Sequence, residues 1–321
     1  MARDHGGNID EAQRDYGTGD WIDLSTGINR RPWPVAQLSD AAWRALPTAT
    51  AQKRLIETAA RWFRCNPGHI LPVAGASAAI QMIPRVLPRG RAAVLSPSYN
   101  EHAASLGQAG WQVTQVADPE DMAGADLAVI VNPNNPDGRE WSPEFLTKLA
   151  RKVGHLLVDE SFADPRPDLS LTPEAPENGL ILRSFGKFWG LAGLRLGFVI
   201  AKPEMLSDIA EYAGPWSVNG PALEIGAAAM ADTHWADETI VYHSEACLRL
   251  DRLAGQAGWT PAGGTHLFRL YDAKDAESAQ DRLARAQIWT RRFPYSDRWL
   301  RLGIPGTRDE WDRLTAALVQ S

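Results

Sequence analysis

A row of short apolar runs, each soon cut off by a proline or a polar residue, constrains this chain more than any other feature. The runs are AAVLSP (92–97), DLAVIVNP (126–133), HLLVDES (155–161), ILRSFG (181–186) and LRLGFVIA (194–201). They are too short for amphipathic helices and too uniformly apolar for half-exposed strands, so they read as strands buried on both faces. Helical patterns lie between them, from His102 to Gly110 and over PEFLTKLARKV (143–153), while WQVTQV (111–116) has the period-two alternation of a strand. Strand, helix, strand in succession predicts an α/β fold with a mostly parallel central sheet and helices on both faces. Such sheets bind ligands just beyond the C-terminal ends of their strands, and polar residues cluster there in this sequence.

The flanks differ. From about Ser39 to Gln81 the pattern is helical, apart from a loop expected at Cys65–Gly75 around Asn66-Pro67-Gly68. Beyond Pro221, ALEIGAAAMA and a segment near Asp237–Ala257 read as helices. HLFRLYDA, a helical stretch at Ala276–Ala286 and RWLRLGIP follow, the α+β pattern of a smaller domain. No repeat or low-complexity tract interrupts the chain.

Composition removes several function classes. The net charge is −6 over 321 residues, with no run of like charges, which argues against nucleic acid or an anionic membrane as partner. Two cysteines, Cys65 and Cys247, cannot build a disulfide framework or a cysteine metal cluster. Leu71–Pro84 lacks charges but is too short and too polar to span a bilayer. The opening MARDHGGNID has no apolar core for export. The expectation is a soluble cytoplasmic protein acting on a small molecule, with no metal. The 13 tryptophans scatter without a period and read as packing residues, and only six of the 33 basic residues are lysines. A reaction that needs a lysine amine therefore has few candidates.

Four constellations carry possible chemistry. In Ser184-Phe185-Gly186-Lys187, with Arg195 eight residues after the lysine, an amine able to condense with a carbonyl sits beside two donors for an anion. A solvated surface turn is the plain alternative. AVIVNPNNPDG delivers Asn132, Asn134 and Asn135 into a proline-stiffened turn at a strand end, although Asn-Pro pairs mark ordinary turns too. HLLVDES places Asp159 and Glu160 at the end of a buried run, where a carboxylate needs a cationic partner, such as a protonated pyridine nitrogen, unless it merely caps a helix. PVAGASAAIQ turns through Gly75 into a helix whose first amides, Ala76 and Ser77, are free for a phosphate. There is no Walker-type Gly-Lys-Ser/Thr and no GxGxxG, so nucleotide readings have no support.

In this order, Asn135-Pro136-x-Gly138, Asp159, Ser184-x-x-Lys187 and Arg195 resemble the fold-type I pyridoxal-phosphate enzymes of the class I/II aminotransferase superfamily. The resemblance runs from about Gly75 to Arg301. It implies that Lys187 holds pyridoxal 5'-phosphate covalently and shuttles protons, and that Asp159 keeps the ring nitrogen protonated. It further implies that Asn135 bonds the ring 3'-oxygen and Tyr99 stacks on the ring. Gly75, Ala76, Ser77, Ser184 and Arg195 are implied around the cofactor phosphate, and Arg301 at the substrate carboxylate. With it comes an expected large domain over 40–232, a small domain formed by both termini (1–39 and 233–321), and a homodimer with active sites at its interface.

The opening HGGNIDEAQRDYG and WIDLSTGINRRPWP is similar to that of the threonine-phosphate decarboxylases of cobalamin synthesis, which places His5 and Asn29 at a substrate phosphate. The implied reaction turns L-threonine O-3-phosphate into (R)-1-aminopropan-2-ol O-2-phosphate. Phe162, three residues after Asp159, replaces a tyrosine of many aminotransferases and fits this reading. A histidinol-phosphate-type aminotransferase is the rival among enzymes of this fold, and a non-catalytic cofactor-binding sensor that uses the same fold is the rival from another function class. Three departures stand out. Asp137 replaces the usual threonine of the Asn-Pro turn, Leu46 lies where a partner subunit usually lends a tyrosine, and the chain is short for the superfamily.

Overall fold

The computed structural model describes residues 5–319; the first four residues of the N-terminal reading lie outside the described residues. The chain divides into two compact units. One comprises Trp33–Asn135 and Arg139–His234, the other Met1–Pro32, Pro136–Gly138 and Trp235–Ser321.

The first unit is built on a seven-stranded sheet. Its strands are β1 (Ile70–Val73), β2 (Arg91–Leu95), β3 (Gln112–Val116), β4 (Leu127–Val131), β5 (His155–Asp159), β6 (Gly179–Ser184) and β7 (Gly197–Ile200). The spatial order is β1-β7-β6-β5-β4-β2-β3, with β7 antiparallel to both its neighbours and every other pair parallel. The expected α/β class with a mostly parallel sheet is therefore met. The apolar runs behave as their composition demands: all five residues of β4 are buried, because helices cover both faces. On one face Val94, Leu127, Val129, Leu157, Leu182 and Val199 pack with Ile80, Ile83 and Leu106 of helices α2 (Ala76–Val86) and α3 (Asn100–Gln108). Phe198, one residue from Val199 and so on the other face, meets Phe63 of helix α1 (Ala49–Phe63) at 5.3 Å between ring centroids.

The loop expected at Cys65–Gly75 contains β1, a strand of four residues at the sheet edge. Pro72 sits inside it opposite Phe198. An edge strand tolerates a proline because one side of its backbone needs no partner, and that proline makes the segment read as a loop.

The second unit carries a four-stranded antiparallel sheet. Its strands β8 (Thr260–Thr265), β9 (Phe268–Asp272), β10 (Arg291–Phe293) and β11 (Ser296–Gly303) lie in the order β10-β11-β9-β8. Leu250, Tyr271, Leu283, Leu300, Leu302 and Trp311 form its core, and Ile22 and Leu24 from the N-terminal segment pack into it. Among the described residues no helix is long and apolar enough to cross a membrane.

The helix over Thr233–Gln256 buries His243, which is 1% exposed. Burial pushes its imidazole from the ordinary 6.5 down to about 4. The unfolded chain takes up this proton below pH 6.5 while the folded chain resists until about pH 4, so stability is lost as pH falls through that window. The loss approaches about 3 kcal/mol. Urea denaturation of His243→Leu at pH 7 and near pH 4.5 should show a smaller acid loss than the parent, and equal losses would contradict this assignment.

Candidate active site

The ends of β4, β5 and β6, with the turn into α2, supply one cavity. It is lined by Gly75, Ala76, Ser77, Tyr99, Asn135, Asp159, Phe162, Ser184, Lys187 and Arg195 among others. The structure thus gathers every residue expected around a cofactor into one place, all within the larger unit.

Asp159 is the last residue of β5 and is buried, and a turn rather than a helix follows it, so it caps no helix. Its Oδ2 lies 2.9 Å from His102 Nε2, itself 2% exposed, and its Oδ1 accepts from the Ser161 amide at 3.0 Å and from the Ser161 hydroxyl. Burial alone would push this carboxyl up. The hydrogen bond and charge from His102, with the two hydrogen bonds from Ser161, outweigh it and hold the carboxyl below its ordinary range. A buried anion is thereby maintained in the cavity wall. His102 and Ser161 escaped the sequence reading. His102 lies one helical turn after Tyr99, and the only signal was a histidine in the same SPSYNEHA segment.

Lys187 belongs to a one-turn helix, Phe185–Phe188, that follows β6 directly. Its Nζ stands 5.6 Å from the centroid of the Phe162 ring, and Phe162 is 5% exposed. Phe185 and Trp189 bracket the lysine and stack on each other at 5.5 Å with an interplanar angle of 10°. The apolar residues on either side of Lys187 are therefore fixed in the core.

The turn into α2 needs its glycine. Gly75 has φ +84°, and a Cβ there would stand 2.8 Å from Arg195 Nη2. Bare backbone and a guanidinium meet where the α2 amides of Ala76 and Ser77 begin. Arg195 itself is in the left-handed region at φ 55°, with Nη1 donating to the Ala192 carbonyl at 3.1 Å.

Of the three asparagines after β4, only Asn135 lines the cavity. Asn132 is buried and ties its turn to Trp141 and Leu169, with its side-chain amide donating to both carbonyls. Asn134 accepts from Ser98 Oγ at 2.8 Å and donates to the Pro97 carbonyl at 3.0 Å, which joins the loop carrying Tyr99 to the loop carrying Asn135.

His5, Asn29 and Arg301 lie in the smaller unit. Arg301 is buried on β11, donates to the Ser25 carbonyl at 2.7 Å, and has its guanidinium 4.9 Å from the Phe268 ring centroid. Asn29 is buried and accepts from the Arg31 amide at 2.8 Å. His5, Ser25 and Arg291 line a cavity of about 550 Å³ within this unit. Arg291 on β10 is the cross-strand partner of Arg301, a pairing that only the sheet register reveals. Among the described residues no cluster of three or more His, Cys, Asp or Glu could hold a metal.

Residues 20–318 match the family described as aminotransferase class I and II. The chain belongs to that family. Two curated relatives are threonine-phosphate decarboxylases. One, from Pseudomonas aeruginosa, is 42% identical over 98% of this chain and 97% of its own length. The other, from a Sinorhizobium species, is 41% identical over the same shares. Among solved structures, histidinol-phosphate aminotransferase from Sinorhizobium meliloti in complex with pyridoxal-5'-phosphate aligns with a TM-score of 0.82. It is 21% identical and the match covers 97% of this chain and 93% of that one, a likeness of fold.

The cavity of this class I and II aminotransferase family member fits pyridoxal 5'-phosphate on its own chemistry. A maintained anion suits a protonated ring nitrogen, and a lysine amine suits an aldehyde. A bare-backbone helix start beside an arginine suits a phosphate.

Proposed function

We propose that the chain is a pyridoxal 5'-phosphate-dependent carboxy-lyase that converts L-threonine O-3-phosphate to (R)-1-aminopropan-2-ol O-2-phosphate and carbon dioxide, the amine serving as a cobalamin linker. The observation that carries this reading is the 41–42% identity, over nearly the whole chain, to two threonine-phosphate decarboxylases.

When bound, the cofactor supplies a sink for the electron pair left as a bond to the substrate α-carbon breaks. The chain supplies the rest. Asp159 holds a proton on the ring nitrogen by staying anionic in a buried site. Lys187 Nζ would deliver the proton that replaces the departing carboxylate on the α-carbon. Tyr99 and Asn135, held by Asn134, fix the orientation of the ring. Ala76, Ser77, Ser184 and Arg195 bind the cofactor phosphate, with Gly75 keeping the approach open. Phe162 offers the ring oxygen no hydrogen bond. Arg301 takes the substrate carboxylate, and His5 and Asn29, with the Arg291 that shares a cavity with His5, take the substrate phosphate, whose anionic oxygens accept charge-assisted hydrogen bonds.

The substrate assignment is tested by comparing L-threonine O-3-phosphate with L-threonine. The phosphorylated compound should be turned over far better. His5→Ala should raise its KM, since losing one hydrogen bond to a charged group costs roughly 1.5–3 kcal/mol, while leaving the poor rate with L-threonine as it was. Equal losses on both compounds would remove His5 from the phosphate site. The reading also carries a cytoplasmic homodimer. Val35, Trp43 and Leu46 are exposed within one short segment, a cluster that favours a protein interface. Cell fractionation and sedimentation check both points, and a monomer would contradict the second.

A further inference from the structure

We propose that the buried network Glu160–Arg183–Asp164 is a positioning device that sets the spacing between Asp159 and the turn carrying Lys187. The proposal rests on the reading of the cofactor site given above.

Strand pairing puts the network directly behind that site. Asp159 on β5 lies beside Leu182 on β6, and the Glu160 amide continues the ladder by donating to the Leu182 carbonyl at 2.9 Å. Glu160 therefore follows Asp159, and Arg183 precedes Ser184. Successive side chains on a strand point to opposite faces, so Asp159 and Ser184 line the cavity while Glu160 and Arg183 meet behind it. Arg183 Nη1 donates to Glu160 Oε2 at 2.7 Å and Nη2 to Asp164 Oδ1 at 3.0 Å, with all three side chains no more than 4% exposed. The guanidinium thus staples the ends of the two strands that present the anion and the lysine turn.

A second path runs to the lysine itself. Asp164 Oδ1 also accepts from Trp62 Nε1 at 2.8 Å. Trp62 packs edge-on against Trp189 at 5.2 Å, and Trp189 stacks on Phe185. From Asp159 to both flanks of Lys187 the chain of contacts is continuous, and it is buried apart from the half-buried Trp62. Glu160 also accepts from the Leu171 amide at 2.7 Å and from the Ser170 hydroxyl at 2.6 Å, which secures that loop, but neither contact requires a charge on the network. Two carboxylates share one guanidinium away from water, and apolar side chains of similar volume commonly serve a core as well or better.

That comparison supplies the test. The triple variant Glu160→Gln/Arg183→Met/Asp164→Asn removes every charge of the network and keeps its volume. Arg183→Lys keeps the charge but loses the planar fork that reaches both carboxylates. With cofactor added, both are compared with wild type by thermal melting, cofactor affinity, the pH midpoint of the visible absorption band, kcat and KM. The expected result for the triple variant is a folded protein whose kcat falls about tenfold or more with little change in KM. Its band midpoint should also move by roughly half a pH unit or more, because the distance between the lysine and the Asp159 charge has changed. Arg183→Lys should move the same readouts in the same direction by less, and it decides the matter if the triple variant does not fold. A folded variant with wild-type kcat and band midpoint would make the network a structural feature only and overturn the proposal. Wild-type protein that takes up no cofactor would overturn the site reading, and the proposal with it.

Discussion

Asp159→Ala should retain bound cofactor yet lose turnover by several hundred-fold or more. The carboxylate is buried and held anionic by His102 and Ser161, an arrangement that serves a cationic group brought into the cavity. Removing one partner of a buried charge pair costs on the order of 3–5 kcal/mol, which in rate is a factor of hundreds to thousands. Asp159→Asn keeps the shape and an acceptor for His102 but not the charge, so it should fall nearly as far. Steady-state rates with cofactor occupancy followed by absorbance check both variants. Near-normal rates in either would show that another group holds the ring nitrogen's proton.

Lys187→Ala should be at least as damaging. The side chain does two things in this account: it anchors the cofactor and it moves the proton at the reacting carbon. Positioned proton transfer alone contributes roughly 10²–10⁴-fold. Borohydride reduction of the wild-type holoenzyme should leave the label on the peptide containing Lys187. A label on Lys53, Lys148, Lys152, Lys202 or Lys274 would remove Lys187 from this role.

The parts of the fold that the sequence made legible are those whose signal is local. The β4 and β5 runs, AVIV and LLVD, needed no partner to be recognised, because burial on both faces leaves only apolar residues along the strand. The turn at Gly75 and the Ser184–Lys187 spacing are local in the same sense. What stayed hidden depends on contacts between distant segments. His102 gains its meaning from Asp159, 57 residues away. Arg183 stands inside the apolar run ILRSFG and reads there as one more strand residue. Its role depends on carboxylates 19 and 23 residues upstream. A charged residue inside a buried run was the available signal, since such a residue must find partners. Arg291 is a further case, since only the antiparallel register sets it beside Arg301. Pro72 misled in the opposite direction, because a residue that excludes a central strand is tolerated at an edge.

Which bond to the α-carbon breaks is the central claim, and a product balance tests it most directly. Purified holoenzyme supplied with L-threonine O-3-phosphate and no oxo acid should release one carbon dioxide for each amino alcohol phosphate formed. Turnover that instead requires 2-oxoglutarate and returns glutamate, with no carbon dioxide, would make the chain an aminotransferase and contradict the account.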